Sequence, residues 1–230
     1  MVRVRHCHLS GRYDAKPHEW TAALNYLAVK AHVITLTEAR NVQAVRDWAK
    51  ANGWQLAQPR GAECAVLTRG DIKEDGAGPL TNRRLSSGKK VTATWAKIDL
   101  HPRYRPVTFI VTHLPARVEG RNGWQRGTPT SVHADAVRGL KRLAAEQNRR
   151  VVIVGDVNLN LRRRWVQEWA DHTFRRYAAA WHGRLPDAGT FRGRIIDWHL
   201  SGRGVNAGPA QPLKRLDGFD HRPFVVSLEL

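Results

Sequence analysis

The sequence has few cysteines and no long hydrophobic run, and each shortage excludes a class of protein. Its 230 residues include 2 cysteines, Cys7 and Cys64, which form no CxxC unit. We therefore expect neither a disulfide framework nor a zinc site made of cysteine alone. No stretch approaches the roughly 18 uninterrupted apolar residues of a transmembrane helix, and the N-terminus lacks the apolar segment of a signal peptide. The expected location is the cytoplasm, without membrane insertion.

Acidic residues are also scarce. The chain has 20 Asp+Glu against 38 Lys+Arg, which gives a net charge of +18. A surface with this charge attracts polyanions and indicates a nucleic-acid partner, although a GC-rich genome also enriches arginine. Hydrophobic residues make up 42% of the chain, as in globular proteins and unlike disordered ones. Because no repeat or long linker interrupts the sequence, we expect one domain over residues 1–230.

Strand patterns and helix patterns interleave along the chain, and many strands follow one another directly. β-Branched and aliphatic runs predict strands over residues 3–9, 32–38, 54–58, 64–69, 91–100, 106–114, 149–158, 194–202 and 221–230. Apolar residues at helical spacing predict helices beginning at Pro17, after Asn41 and over residues 128–147. The polar stretch 70–90 is expected to form a loop or an irregular edge. This order favours mixed sheets with helices outside over a doubly wound parallel fold.

Several predicted strands end in an acid, an amide or a histidine. The segments are LTE (36–38), VTHL (111–114), IVGDVN (153–158) and IIDW (195–198), and the pair Asp220-His221 directly precedes the last strand. Buried strands do not ordinarily end in charge so often. We therefore expect these ends to meet at one rim of the sheets, where functional groups collect on a rigid scaffold.

Taken together and in this order, the motifs resemble those of the endonuclease/exonuclease/phosphatase superfamily, which includes deoxyribonuclease I and the apurinic/apyrimidinic endonucleases. The matching residues are Glu38 in LTEAR, His113 in THL, Asp156 and Asn158 in GDxN, Asp197 in ID[YW], and Asp220 and His221 in DHRP. One such motif alone is weak evidence, but the set spans residue 32 to the C-terminus. The resemblance implies an α/β fold, a four-layer sandwich in which two mixed β-sheets pack face to face with helices outside.

The first strand departs from the family pattern. The family normally ends this strand in an asparagine that helps to hold the metal site. Here the corresponding place falls at Cys7 or His8 in HCHLSG, and neither side chain is an amide. His8 is the candidate substitute, as a neutral ligand or as a donor to phosphate. The change puts the efficiency of the metal site and the preferred metal in question.

The resemblance implies a divalent metal ion, Mg²⁺ with Mn²⁺ as the alternative, held by Glu38 and Asp220. A carboxylate at a rigid strand end supplies the hard oxygen ligand that Mg²⁺ prefers. The structural alternative for Glu38 is an acid that stabilises the start of the next helix. The structural alternative for Asp220 is the acid of a turn.

The catalytic residues implied by the resemblance are His113, Asp156, Asn158, Asp197 and His221. Asp156, aided by Asn158, would orient or deprotonate the attacking water, although a GDxN segment also suits an Asx turn. Asp197 would fix the tautomer and orientation of His221, whose ring donates to a phosphate oxygen as negative charge develops. His113 would bind the phosphate or assist the leaving group. No covalent intermediate is implied.

Basic and aromatic residues near these motifs are candidates for substrate binding. Trp124 lies in the arginine-rich segment 117–127, where it could stack on a base while arginines grip the backbone. Its structural alternative is a tryptophan folded onto its own domain. Arg192 and Arg194 precede Asp197 and are candidate phosphate contacts, or else part of a solvated basic face.

The predicted function is metal-dependent hydrolysis of a nucleic-acid backbone, DNA more readily than RNA, by endonuclease or exonuclease action. A second hypothesis keeps the fold and changes the substrate to a phosphoinositide or sphingolipid. Basic, glycine-rich loops weaken the lipid hypothesis, although they also attract anionic headgroups. A third hypothesis is a catalytically impaired nucleic-acid-binding protein, for which the missing asparagine is the only support. No obligate protein partner is inferred.

Overall fold

Two β-sheets and four helices make up the part of the chain that the computed structural model describes, residues 3–12, 14–39, 42–85, 87–116, 131–147, 150–179 and 189–230. Both sheets are mixed, and the α/β sandwich predicted from the sequence is confirmed. In chain order the elements are β1 (Arg3–Ser10), α1 (Pro17–Ala28), β2 (Val33–Thr37), α2 (Val42–Ala51), β3 (Gln55–Ala57), β4 (Ala65–Thr68), β5 (Asp71–Arg84), β6 (Lys90–Asp99), β7 (Val107–His113), α3 (Ser131–Glu146), β8 (Val151–Asp156), α4 (Arg164–Thr173), β9 (Ala178–Ala179), β10 (Asp197–Ser201), β11 (Asn206–Ala207), β12 (Gln211–Pro212) and β13 (Phe224–Glu229).

The first sheet is organised around β1, in the order β11-β13-β1-β2-β4-β3, with β12 also paired to β13. β1 runs parallel to β2 and antiparallel to β13. Because side chains alternate along a strand, β1 contributes to two separate cores. Cys7 and Leu9 pack with Trp20 and other residues of α1 and α2, whereas Val4 belongs to the core that includes the second sheet.

The second sheet has the order β5-β6-β7-β8-β10-β9. β7 and β8 are parallel, and both are fully buried apart from the last residue of β7. Their runs of valine, isoleucine and phenylalanine fit strands covered on both faces. Contacts of β2 with β7 and β8 place the two sheets face to face, while α3 packs against β5.

The polar stretch 70–90 contains a long edge strand rather than a loop. β5 pairs with β6 from Asp71 to Arg84, with register shifts after Ile72 and after Pro79. The loop interpretation is therefore wrong, and the irregular edge is correct. An edge strand exposes one face and one row of backbone groups, so its sequence can be polar and glycine-containing. Because polar residues are tolerated in such a strand, the sequence lacks the alternation of apolar and polar residues that would have identified it.

Helix α4 is an element that the sequence analysis missed. It begins within an arginine-rich run and buries only Val166 and Ala170 fully, with Trp165 and Trp169 packed partly against the core. A narrow apolar stripe of this kind, between charged residues, gives a weak periodic signal.

The two cysteines are free thiols buried in different cores. Burial raises the pKa of the Cys7 thiol to about 12 and also raises that of Cys64. Among the helices of the described ranges, none combines the length and apolar character needed to cross a membrane.

Helix α3 rests on β5 through Gly139, and this contact generates a stability prediction. A Cβ atom at Gly139 would overlap the carbonyl oxygen of Leu80. Gly139→Ala should therefore destabilise the protein by about 1–3 kcal/mol through overpacking, even though alanine is the better helix former. Urea unfolding measures the change. The matched control is Lys141→Ala, at an exposed position of the same helix, and a stabilised Gly139→Ala variant would contradict the close contact.

Candidate active site

The second sheet places three of the predicted site residues in one row. β7 and β8 are parallel with His113 opposite Asp156, and β8 and β10 are antiparallel with Asp156 opposite Asp197. Adjacent strands of a sheet are about 4.8 Å apart. The register alone therefore brings His113, Asp156 and Asp197 together at one rim.

The first sheet supplies the remaining groups at the same rim. Ser10 and Thr37 are register partners at the ends of the parallel strands β1 and β2, and Glu38 follows directly. Asp220 and His221 precede β13, which is antiparallel to β1. The end of a parallel pair and the start of an antiparallel strand lie at the same edge, so these groups converge. The interpretation of Asp197 as the end of a strand is wrong, because Asp197 begins β10, whose antiparallel pairing with β8 still brings it to this rim.

The GDxN turn has a specific backbone requirement. Gly155 has φ 147°, and a Cβ atom there would overlap the carbonyl oxygen of Thr112 on β7. Asn158 is left-handed, with φ 57°, and its backbone N–H donates to Oδ1 of Asp156 at 2.8 Å. The Asn158 side-chain amide donates to the Leu114 carbonyl at 2.9 Å. The Asx turn therefore forms, and it fixes one oxygen of Asp156 while tying β8 to the end of β7.

Asp197 and His221 form a buried ion pair. Nδ1 of His221 lies 2.8 Å from Oδ2 of Asp197, and the His221 Nε2 atom lies 3.9 Å from Oδ2 of Asp156. Burial acts to lower the pKa of His221, but the carboxylate of Asp197 outweighs it and raises this pKa to about 9. The ring is therefore protonated at neutral pH, with Nε2–H directed toward Asp156.

The two neighbouring carboxylates have opposite pKa shifts. Burial, together with the negative charge of Asp197, raises the pKa of Asp156. Burial also acts to raise the pKa of Asp197, but His221, assisted by His8, holds it well below its ordinary value. Because the two pKa values are shifted in opposite directions, Asp197 remains an anion, whereas Asp156 is the acid that accepts a proton more readily.

His113 lies among three carboxylates. Its Nε2 atom is 3.4 Å from Oε1 of Glu38 and 3.9 Å from Oδ2 of Asp156, and its Nδ1 atom is 3.7 Å from Oε2 of Glu63. Burial acts to lower the pKa of His113, but these acids, with Glu63 first, raise it overall. Acids on either side of the His113 ring thus set its position and favour its protonated form.

The donor set fits a hard divalent cation. Glu38 has φ 53°, a strained conformation for a residue other than glycine. Burial raises the pKa of Glu38; His113 and His221 act to lower this pKa, while the nearby carboxylates of Asp220 and Glu63 act to raise it. Accumulated carboxylates of this kind are stabilised by a bound cation. The residues present are therefore compatible with a metal ion on the Glu38 and Asp220 side of the site.

A second group of possible ligand atoms consists of Asp156, Asp197 and His221, whose atoms lie within 4.8 Å of one another among the described residues. Both oxygens of Asp197 already accept hydrogen bonds, one from Ser10 and one from His221. A protonated His221 has no free lone pair. Of this group, only Asp156 keeps an oxygen, Oδ2, that accepts no hydrogen bond from the described residues.

The structure distinguishes between the two candidates for the missing asparagine. Cys7 faces the helices and packs in their core. His8 faces the site, and its Nε2 atom lies 3.7 Å from Oδ1 of Asp197. His8 is 1% exposed, and both ring nitrogens contact hydroxyl groups, those of Thr35 and Ser10. Because the His8 side chain is enclosed in this way, it lies against Asp197 inside the protein and is not accessible to a substrate.

Arg192 and Arg194 lie beside the site on a turn that begins at Gly189. Their guanidinium groups are 5.2 Å and 5.0 Å from the ring centroid of Phe191, and that ring lies 4.7 Å from the ring of His221. The backbone N–H of Arg222 donates to the Thr190 carbonyl at 2.7 Å, which connects this turn to the His221 segment. Two cations are therefore held next to His221. Trp124 and segment 117–127 lie outside the described residues.

Sequence reasoning missed Glu63, Ser10 and Phe191. Glu63 lies just before β4, which is antiparallel to β2, so the start of β4 is at the same rim as the end of β2. Antiparallel topology brings strand starts to the rim as well, but Asp220 and His221 were the only residues that the motifs placed at a strand start. Ser10 and Phe191 carry no comparable local signal.

Comparison with known proteins identifies one family. A model of the "Endonuclease/Exonuclease/phosphatase family" matches residues 9–218. A search of the curated proteins finds no match. Similar solved structures include an endonuclease/exonuclease/phosphatase from Bacteroides vulgatus, with 15% identity, TM-score 0.74 and 100% of both chains covered. D. rerio TDP2 complexed with single-strand DNA product has 12% identity, TM-score 0.73 and 100% of both chains covered.

A third similar structure is the mannosyl-6-phosphatase of Bacteroides thetaiotaomicron VPI-5482. It has 13% identity and a TM-score of 0.68, and the alignment covers 99% of this chain and 100% of the other. At such low identities these likenesses establish the fold.

The ion pair leads to a prediction about proton affinity. In metal-free protein, Asp197→Asn should lower the pKa of His221 from about 9 toward its ordinary value, because burial then acts without the opposing anion. NMR titration of the His221 ring protons measures this. Asp75→Asn on β5 removes an equal charge from an exposed position and should leave the midpoint unchanged. An unshifted midpoint in Asp197→Asn would contradict the pairing.

Proposed function

Because the chain belongs to the endonuclease/exonuclease/phosphatase family, and is therefore a phosphoesterase, we propose that it hydrolyses the phosphodiester backbone of nucleic acid, DNA more readily than RNA, with a divalent metal ion. The observation that carries the proposal is the buried Asp197–His221 pair facing Asp156. It combines a fixed cation and a carboxylate of raised pKa within 3.9 Å. This is an arrangement suited to attack on a phosphate rather than to binding alone.

His221 acts on the non-bridging oxygens of the phosphate. Asp197 keeps the ring protonated and directs Nε2–H toward the space beside Asp156. As negative charge develops on the phosphate, this N–H stabilises it, and the surrounding low-dielectric protein strengthens the interaction. Because the ring is positioned before substrate binds, little reorganisation is needed.

Asp156 orients the attacking water and accepts its proton. Its Oδ1 atom is occupied by the backbone N–H of Asn158, so Oδ2 remains for the water. A carboxylate with a raised pKa is a stronger base than an ordinary aspartate, which suits proton transfer near neutral pH. Asn158 acts through the turn that holds Asp156, so its role is positioning.

His113 assists at the opposite end of the site. Glu38 and Glu63 hold its ring in place, and the protonated form that these acids favour suits contact with a phosphate oxygen or with the leaving oxygen. Glu38 and Asp220 would hold the divalent ion, which when bound supplies Lewis-acid stabilisation of the phosphate and leaving oxygen. Magnesium is the first candidate and manganese the second, because the donors are carboxylate oxygens.

A nucleic-acid substrate is supported by the charge around this acidic site. The chain carries a net charge of +18, and Arg192 and Arg194 are held against Phe191 beside His221. Cations that flank an aromatic ring suit a single strand, whose backbone is anionic and whose bases stack. The similar structure of D. rerio TDP2 is complexed with single-strand DNA product, and this supports a nucleic-acid substrate for the present chain.

The function is tested by incubating the purified chain with plasmid, single-stranded DNA, RNA, abasic duplex and phosphoinositides, each with Mg²⁺, Mn²⁺ or EDTA. DNA cleavage in the metal samples, and none in EDTA, is expected. Asp156→Ala and His221→Ala should lower the rate by at least about 100-fold, the usual contribution of a general base or of a donor that stabilises transition-state charge. His101→Ala, in the loop between β6 and β7, is the folded control.

The other outcomes point to the competing functions. Hydrolysis confined to phosphoinositides would replace the nuclease with a lipid phosphoesterase. DNA binding without cleavage under any metal would indicate a binding protein. Near-full activity of either Asp156→Ala or His221→Ala would contradict the assigned roles.

Electrostatic binding leads to a separate prediction. The affinity for single-stranded DNA should fall steeply with salt, because each phosphate contact releases counterions. Arg192→Ala and Arg194→Ala should each weaken binding and reduce the salt slope by about 1. Arg103→Ala, between β6 and β7 at the opposite end of the second sheet, removes the same charge and serves as the control. A flat salt response would leave the basic composition without a role in binding.

A further inference from the structure

A buried line of polar side chains runs from the space between the sheets to the back of the active site. His6, His8 and Ser10 project from one face of β1, and Thr35 and Thr37 project from β2 beside them. The five side chains are at most 2% exposed. Polar groups are placed in a core at a cost unless they are hydrogen-bonded, so the partners of each group indicate what the line does.

The contacts form a continuous chain. Nε2 of His6 is 2.8 Å from the Thr35 hydroxyl, which is 2.9 Å from Nδ1 of His8. Nε2 of His8 is 3.3 Å from the Ser10 hydroxyl, which donates to Oδ1 of Asp197. The Thr37 hydroxyl donates to Ser10 at 2.7 Å.

The direction of these hydrogen bonds is determined at the Asp197 end. An ionised carboxylate only accepts, so Ser10 must donate to it and accept from Thr37 and from His8 Nε2–H. Burial lowers the pKa of His8, which is therefore neutral, so its Nδ1 atom accepts from Thr35. That hydroxyl prefers His8 at 2.9 Å to the Cys7 carbonyl at 3.5 Å. Every donor in the chain then points toward Asp197.

The far end of the chain agrees with this direction. If Thr35 donates to His8, it must accept from Nε2–H of His6. Burial also lowers the pKa of His6, so its ring is neutral and its other nitrogen carries no proton. That nitrogen, Nδ1, has no hydrogen-bond partner among the described residues. An unpartnered acceptor costs less than an unpartnered charge, so the line can end there.

We propose that Ser10 is a positioning residue of the active site, holding Oδ1 of Asp197 so that Oδ2 stays aligned with Nδ1 of His221. The role of His221 rests on the proposed function, whereas the contact with Asp197 does not. Thr37 and His8 in turn orient the Ser10 hydroxyl, since they occupy its acceptor positions. The catalytic pair thus becomes a triad of Ser10, Asp197 and His221, in which Ser10 does not touch substrate.

The proposal also accounts for the departure at the end of the first strand. The family resemblance implies an asparagine there, and this chain has His8, which faces away from solvent. The Ser10 hydroxyl donates to Asp197, and His8, two residues earlier on the same face of β1, donates to that hydroxyl. The first strand therefore still supports the site, through Asp197 rather than through the substrate.

Ser10→Ala tests the proposal with two readouts. Loss of a group that only orients the catalytic pair should lower kcat by about 10- to 100-fold, with KM within about twofold of the wild type. In metal-free protein, the NMR signal of the His221 Nδ1–H proton should shift, because Asp197 then accepts from His221 alone. Thr37→Val should produce a smaller change of the same kind, and Thr37→Ser, which keeps the hydroxyl, should restore the wild-type signal.

Ser201→Ala is the matched control. Ser201 is a buried serine on the same strand as Asp197, and its hydroxyl donates to the Ala178 carbonyl instead. The Ser201→Ala substitution should leave both kcat and the His221 NMR signal unchanged. An unshifted His221 signal in Ser10→Ala and Thr37→Val, or an equal shift in Ser201→Ala, would overturn the positioning role. If the wild type cleaves no nucleic acid, the proposed function fails, and the NMR comparison still decides the role of Ser10.

Discussion

The buried carboxylate of Asp197 is the constraint on which the site depends. An ionised group in a protein interior is costly unless nearby donors compensate it. Here the donors come from different elements, the Ser10 hydroxyl on β1 and the His221 ring before β13, while Asp197 itself begins β10. Because β1 and β13 belong to one sheet and β10 to the other, the requirement to satisfy this charge fixes how the two sheets meet at the rim.

The same constraint organises the electrostatics around it. Asp197 remains ionised and keeps His221 protonated, and its negative charge contributes to the raised pKa of Asp156. One buried anion thus raises the pKa of both neighbouring groups, His221 and Asp156. The acids of the site lie within a chain of net charge +18, so the candidate site is locally acidic although the chain as a whole is strongly basic.

Much of this arrangement could be predicted from local sequence, and the failures share a cause. The β-branched runs that end in Glu38, His113 and Asp156 are buried strands, and burial on both faces leaves a clear apolar signal. Edge strand β5 and helix α4 bury little surface, so their sequences carry little pattern. Glu63 was missed because its position at the rim follows from the antiparallel pairing of β4 with β2, which no local pattern reveals.

The sequence by itself determined the buried strands, the turn of the GDxN segment, the order of the site motifs and the excess of positive charge, because each follows from composition or from residues close together in the chain. Only the tertiary structure decided that His8 rather than Cys7 faces the site, since alternation along a strand is local but the identity of each face depends on what packs against it. The contact between Ser10 and Asp197, which are 187 positions apart in the chain, also follows only from the tertiary structure. Such a contact exists only because two sheets with independent hydrogen-bond registers pack face to face.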